Sequence, residues 1–446
     1  INCFGFGGIN GHLVLEQAQA VEDQRLLRAS GVLPSGLSRH PSDTRRSANT
    51  APPHVSISTG CPVNLICLTF NDAQDLRIVT SQALDALGEM ESGECSCRQF
   101  SVGSIQPGMY RIGLVDRDVS CLRAKLESLL DQPELHHKYS QQIPENVPEL
   151  AVMLPGEALI PFGYLSELSR FIPAVKALLE FVDGSSADSS ILADTLHPAW
   201  SSLLTESAID SLQRAANRHD CATKTLFIVS VAYCGLLRSL GLQISAFVGH
   251  STGEINALML AGGMQCRDNS GVQAILRSFD DLYANRSYLD HVVEGTAVLV
   301  AGLSDSKLDE CIRQHDDIYL VSDNSPSHRL IFSCEKNFNQ LSVLIGGLGG
   351  FVLPTQLDRA YHTPLFASGA AVMRRFYEQF PLIPLQAKVY SCCSTEPYPE
   401  SDNDQVELLA RQWTQPVRFR EALINMYRDG YRCFLEVNAS KTLLGF

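Results

Sequence analysis

The chain has 446 residues, 45% hydrophobic and 19% charged, enough apolar material for two or three folded units. Its net charge of −14 at pH 7 excludes the basic footprint of a nucleic-acid binder, while a local arginine or helix N-terminus can still hold an anion. No apolar run approaches the roughly 20 residues that span a bilayer, no secretory leader is visible from Ile1, and the expected location is cytoplasmic.

Residues 1–18 combine a glycine-rich turn with a short strand at His12–Leu15. Residues 19–60 are rich in arginine, serine and proline without hydrophobic periodicity, the composition of a flexible linker. From 61 to 149 the pattern predicts a small α/β unit: strand Val63–Phe70, helix Asp72–Met90, strand Gly108–Val115 and helix Val119–Leu130. Pro144 and Pro148 close it. A second unit begins with the strand Val152–Leu154 and the turn Pro155-Gly156. Leu165, Leu168, Phe171, Val175 and Leu179 fall on one face of a helix predicted over 163–182. A serine-rich loop (185–205) precedes the apolar helix Ala222–Leu240, the strand Ile244–Gly249 and the helix Glu254–Leu260. Residues 296–358 predict the order βαββαβ, the split βαβ of a ferredoxin-like subdomain.

The 14 cysteines are scattered, and neither Cys95/Cys97 nor Cys392/Cys393 has a second pair at ligand spacing. No metal site is expected, and the thiols read as free and buried.

The chemistry concentrates at Gly249-His250-Ser251-Thr252-Gly253, a G-x-S-x-G run between a predicted strand and a predicted helix. Flanking glycines permit a strained turn that lifts the serine hydroxyl clear, and the next helix aims N–H groups at an oxyanion. A serine nucleophile needs a base. His362, in Ala360-Tyr361-His362-Thr363-Pro364, follows the last ferredoxin-like strand, where a scaffold presents functional groups. On position alone it is either a base or a packing histidine.

GHSTGE around Ser251 and AYHTP around His362 together resemble the malonyl-CoA:acyl-carrier-protein transacylases and the acyltransferase domains of modular synthases. DNSPSHRLIFS (323–333), QWTQPVRFREAL (412–423) and CFLEVNASKTLLGF (433–446) are similar to further segments of that family, so the resemblance covers about 150–446. It implies an α/β fold, an α/β-hydrolase-like subdomain with an inserted ferredoxin-like one (about 296–358). It also implies a Ser251–His362 pair in place of a full triad, the two lying 111 positions apart. INCFGFGGINGHLVLEQA is similar to the C-terminal tail of a β-ketoacyl synthase domain, and 61–149 to the α/β linker between ketosynthase and acyltransferase. A covalently linked ketosynthase and an acyl carrier protein are the implied partners.

From the same resemblance, the backbone N–H groups of Thr252 and Ile160 form the oxyanion hole, although Pro155-Gly156-Glu157-Ala158-Leu159-Ile160 departs from the family's Pro-Gly-Gln-Gly-x-Gln turn. Arg277 is either the anchor for a malonyl carboxylate or an exposed helix residue. Tyr361 sits where extender choice is set and favours malonyl over a branched group. Asn324 is either a polar substrate contact or a turn residue, and His250 is the remaining substrate-side candidate. No cofactor is expected to stay bound: a coenzyme A thioester is substrate, and phosphopantetheine is carried by the partner. The Tyr-His-Thr-Pro variant points to polyunsaturated-fatty-acid-type synthases. Two rivals remain: a serine thioesterase or esterase whose acid would come from Asp316, Asp317, Asp323 or Asp358, and a degenerate scaffold.

Overall fold

The computed structural model describes residues 2–4, 10–12, 64–91, 99–102, 106–116, 118–133, 136, 140–143, 148–156, 160–183, 196, 204–216, 219–239, 242–263, 269–284, 292–355, 357–380, 383–437 and 442–446. The linker expected over 19–60 lies outside them, as do most of the loop 185–205 and residues 13–15 of the first expected strand. Strands β1 (Asn2–Phe4) and β2 (Asn10–His12) pair antiparallel.

The unit expected over 61–149 is a sheet of order β4-β3-β5-β6, from β3 (Asn64–Phe70), β4 (Gln99–Val102), β5 (Tyr110–Asp116) and β6 (Gln141–Gln142). Helices α1 (Ala73–Glu91) and α2 (Val119–Asp131) give it a core of its own, in which Ile66, Leu68 and Phe70 meet Leu76, Leu122 and Leu126. Asp118 starts α2 by accepting the Ser120 N–H at 2.8 Å.

The next sheet is wholly parallel, in the order β13-β8-β7-β14. It comprises β7 (Leu150–Leu154), β8 (Ile244–Gly249), β13 (Lys388–Tyr390) and β14 (Cys433–Glu436). Every residue of β7 is buried, as in a strand covered on both faces. The helix expected over 163–182 is two, α3 (Ser166–Phe171) and α4 (Pro173–Asp183). Pro173 forces Ile172 into an extended conformation (φ −121°, ψ 100°), which interrupts the helix.

Helix α5 (Glu206–Ala216) leads to α6 (His219–Ser239). The stretch Cys221–Arg238 of α6 is 18 residues long with a mean hydropathy of 1.3, so one run does meet the length and apolarity of a membrane span. Of that stretch 83% is buried within the protein, where it packs on α7 (Gly253–Leu260) and α8 (Asn269–Ala284) as a core helix.

The ferredoxin-like unit has the order β10-β11-β9-β12, antiparallel throughout, as its βαββαβ pattern requires. Its elements are β9 (Thr296–Ala301), α9 (Asp305–Gln314), β10 (Ile318–Ser325), β11 (His328–Ser333), α10 (Phe338–Gly347) and β12 (Phe351–Pro354). It is fastened to the larger unit by a Val417 N–H donating to the Val321 carbonyl at 2.9 Å. Arg420 adds ion pairs to Asp323 (2.6 Å) and Asp305 (3.1 Å). Helices α11 (Ala367–Tyr377), α12 (Asp402–Arg411) and α13 (Phe419–Arg428) complete the chain. Every described cysteine is free; Cys121 and Cys334 are exposed, against the buried setting expected of them.

Candidate active site

Strand β8 ends at Gly249 and α7 begins at Gly253, so His250, Ser251 and Thr252 form the sharp turn between them. The turn is closed by the Gly253 N–H on the His250 carbonyl and the Glu254 N–H on the Ser251 carbonyl, both at 2.9 Å. Neither glycine has room for a side chain. A Cβ on Gly249 would lie 2.2 Å from the Gly253 backbone, and one on Gly253 would lie 2.3 Å from the Leu154 carbonyl oxygen. Ser251 itself holds φ 55°, a left-handed conformation that a side-chain-bearing residue adopts at a cost of about 1–2 kcal/mol. The strain belongs to the elbow geometry.

His362 is also left-handed, at φ 57°. Its turn is held by the Thr363 hydroxyl donating to the Ala360 carbonyl at 2.7 Å, before Pro364 starts a short 3-10 turn. The ring reaches Ser251: Oγ and Nε2 are 2.7 Å apart. On the other side Nδ1 is 2.9 Å from the Gln412 carbonyl oxygen. A carbonyl only accepts, so Nδ1 carries the proton and Nε2 presents a lone pair to the serine hydroxyl. Trp413 stacks on the ring at 5.4 Å and 9°. The group that fixes the imidazole is therefore a backbone oxygen. None of the four candidate aspartates meets it: Asp317 pairs with Lys336, Asp323 with Arg420, and Asp316 and Asp358 are exposed.

His250 points away from this pair. Its Nε2 donates to Asn324 Oδ1 at 2.8 Å, and the Asn324 amide nitrogen donates to His328 Nδ1 at 3.1 Å. Asn324 is thus neither in the turn nor free for substrate; it lies near the end of β10, buried, and ties the ferredoxin-like unit to the elbow. Burial holds the His250 imidazole down at about 4, the Asn324 bond working against that and the nearby His362 and His328 with it.

Tyr361 and Thr252, the chain neighbours of the two central residues, line a small cavity walled by Phe279, Leu282, Phe366, Met373, Tyr377 and Trp413. Arg277 does not reach it. It is exposed on α8, whose inward face carries Ile275, Leu276, Phe279 and Leu282. Ile160 is buried with its carbonyl accepting from Gln213 at 2.6 Å, while Glu157, Ala158 and Leu159 lie outside the described residues. Among the described residues no cluster of three or more potential metal ligands occurs.

One buried group escapes a reading of the sequence. Glu254, the first-turn carboxylate of α7, accepts the Cys392 N–H at 2.7 Å, the Ser391 hydroxyl at 3.0 Å and the Tyr398 hydroxyl. Burial pushes its carboxyl up to about 7 against the pull of those donors. In the sequence it is visible only as the last letter of a motif, because its partners lie more than 130 positions downstream.

The profile of the Acyl transferase domain family matches residues 201–444. The chain is 24% identical over 305 residues to the malonyl CoA-acyl carrier protein transacylase of Bacillus subtilis, covering 67% of this chain and 89% of that one. It is 23% identical to a polyunsaturated fatty acid synthase polypeptide of a Thraustochytrium, over 99% of this chain but only 15% of the latter. Among solved structures, the acyl transferase domain of SpnD superposes with a TM-score of 0.65 at 15% identity, covering 87% of this chain and 88% of its own. A malonyl-transacylase solved with its type II polyketide acyl-carrier protein gives 0.55 at 20% identity, covering 67% and 91%.

Proposed function

Since the chain belongs to the acyl transferase domain family, we propose that it moves an acyl group, malonyl first among them, from coenzyme A to an acyl carrier protein through an ester on Ser251. The observation that carries this reading is the 2.7 Å contact from Ser251 Oγ to an imidazole nitrogen whose opposite nitrogen is committed to a carbonyl.

In the first half-reaction His362 Nε2 takes the serine proton as Oγ attacks the thioester carbon. The new C–O bond forms, the C–S bond breaks, and the departing thiolate takes the proton from the imidazolium. In the second, the phosphopantetheine thiol gives its proton to Nε2 and attacks the ester; the C–O bond breaks and Oγ is reprotonated. The N–H groups of Thr252 and Ile160 hold the oxyanion in both, each such donor contributing about 3 kcal/mol in enzymes of this chemistry. Gln412 keeps the ring in the one tautomer that both steps need. The carbonyl at Nδ1 speaks against the esterase reading in its three-residue form.

The names of the relatives support malonyl and a carrier protein as substrates, and the reading of 61–149 as the linker behind a ketosynthase rests on the resemblance of that stretch in sequence. The home of the chain is then a polyketide or polyunsaturated-fatty-acid synthase, in the cytoplasm. The test is direct: with malonyl-CoA the protein gains one malonyl mass, and with a carrier protein added that mass moves to the carrier. Ser251→Ala should abolish both. Free malonate released with no loaded carrier would sink the transferase reading.

A further inference from the structure

At the end of β14 the Glu436 carboxylate accepts the Leu443 N–H at 3.1 Å and the Leu444 N–H at 2.9 Å, which fixes a turn over 442–445. Leu443 is buried beneath it, in the core shared by Val248 and Phe419. Phe446 is thereby set down where three parts of the protein meet. Its ring lies 4.4 Å from that of His328 on β11 and 5.7 Å from that of His250 in the elbow. Phe419, at the start of α13, meets Phe446 edge to face at 6.1 Å and His250 at 5.7 Å. Phe446 lies against both histidines at once.

The hydrogen bonds beneath that ring run in one direction. An amide oxygen only accepts and an amide nitrogen only donates, so His250 Nε2 gives its proton to Asn324 Oδ1, and Asn324 Nδ2 gives to His328 Nδ1. His328 is therefore neutral, with its proton on Nε2. A proton added at Nδ1 would face the amide N–H. To accept it the Asn324 amide has to turn over, and His250 then meets a donor where it had an acceptor. His250 immediately precedes Ser251, so one proton on β11 undoes the bond that ties the elbow to the ferredoxin-like unit. The charged groups on the packed elements are spent on each other: Asp323 of β10 on Arg420 of α13, Arg329 of β11 on Asp305, and Arg418 on Glu421. Glu436 is held by the turn, and His362 acts on His250 from the catalytic side.

We propose that Phe446 is a positioning residue for acyl transfer: it shields the His328–Asn324–His250 chain from protonation and so keeps Ser251 in its elbow at acid pH. The proposal rests on the acyl-transfer reading above for its kinetic readout. Phe446 and His328 are each half-buried, so the phenyl ring is the cover on that side. With the cover in place, burial holds the His328 imidazole below its ordinary 6.5. Without it, water reaches the ring and its affinity for a proton rises towards that value.

The test is the pH dependence of single-turnover loading from malonyl-CoA in the unaltered protein, in Phe446→Ala and in Phe446→Ala/His328→Asn. At pH 8 the three should load within about twofold of one another. At pH 5.5 Phe446→Ala should fall about tenfold below the parent, because an imidazole titrating near 6.5 leaves about one tenth of the molecules neutral. Asparagine at 328 offers an amide oxygen near the place of Nδ1 and takes no proton, so the double variant should regain the parent profile. A loss equal at both pH values, or none at either, makes Phe446 a packing residue alone. An acid loss that persists in the double variant places the proton elsewhere. Each of these results overturns the proposal. The unaltered protein also decides it without kinetics: the nitrogen shifts of its histidine rings should show His328 protonated on Nε2 and titrating below 6.5. A proton on His328 Nδ1 at pH 7.5 overturns the proposal even if neither variant folds. If malonyl-CoA loads the protein at no pH, the acyl-transfer reading falls, and the ring shifts still decide the shield.

Discussion

The Glu254 carboxylate accepts the Cys392 backbone N–H at 2.7 Å, and this bond joins the first turn of the helix after Ser251 to the loop after β13. With the Ser391 and Tyr398 hydroxyls on the same carboxylate, the elbow is fixed from below as well as along the chain. Glu254→Ala leaves three buried donors unsatisfied, at about 1–3 kcal/mol each, and should cost at least about 3 kcal/mol of stability by denaturant titration. Glu254→Gln keeps the shape and should cost less. Glu254→Gln should also lower kcat more than it raises KM, because an amide NH2 facing one of the three donors disturbs the turn that carries Ser251. An unchanged kcat would confine Glu254 to a stabilising role.

The same residue gives a pH signature of definite sign. Its carboxyl titrates at about 7 when folded, under burial first, with the Tyr398, Cys392, Ser391 and Cys393 donors pulling the other way. The Tyr377 hydroxyl, also buried, faces it from α11. The folded state holds this proton more tightly than the unfolded chain, so the contribution is fully present below about 4.5 and is lost as pH rises to about 7. The loss is about 3 kcal/mol in scale. Comparing the pH dependence of stability in the parent and in Glu254→Gln isolates it; parallel curves between these limits would refute the assignment.

His250 works in the opposite direction. Its imidazole is held at about 4 against an ordinary 6.5, mainly by burial. Here the unfolded chain takes the proton first, so this group's contribution is intact above 6.5 and drains away as pH falls towards 4. Asn324→Ala removes the acceptor for His250 Nε2 and the donor to His328, and should cost about 2 kcal/mol near neutral pH. Thermal melts at pH 7.5 and pH 5 should both register the loss.

The strain at Ser251 can be read out separately from its chemistry. At φ 55° a glycine rests without penalty and an alanine does not. Both Ser251→Gly and Ser251→Ala should be inactive, yet the glycine variant should be the more stable by about 1 kcal/mol. Equal melting temperatures would place the strain elsewhere.

The elbow was legible because strand, glycines, serine and helix are contiguous, and steric limits at Gly249 and Gly253 write themselves into the letters. The βαββαβ order of 296–354 was legible for the same reason, each short element carrying its own period. The rest depended on distant chain. Any residue can offer the carbonyl that Gln412 gives His362, so nothing in the letters singles it out. Arg277 shares its helix with Phe279 and Leu282, and only packing against α6 decides which of them turns inward. The break before Pro173 was readable: the rule for residues ahead of proline outranks the apolar spacing that suggested one helix.

Trp413 offers a test of how the imidazole is held. Its ring lies flat against His362 at 5.4 Å, and its N–H is spent on the Tyr377 hydroxyl. Trp413→Phe keeps an aromatic face on the histidine and loses one hydrogen bond, so a cost of about 1 kcal/mol with little change in the acylation rate is expected. Trp413→Ala opens a void beside the imidazole and widens the cavity that Trp413 lines, costing about 3–5 kcal/mol. With the stack gone, the imidazole loses the flat face that backs it, and a ring freer to swing spends less time within reach of Ser251 Oγ. Single-turnover acylation of the folded Trp413→Ala protein should then fall about tenfold or more, since misplacement by an ångström is enough for such losses. If the alanine variant acylates as fast as the phenylalanine one, the Trp413 stack does not position the imidazole.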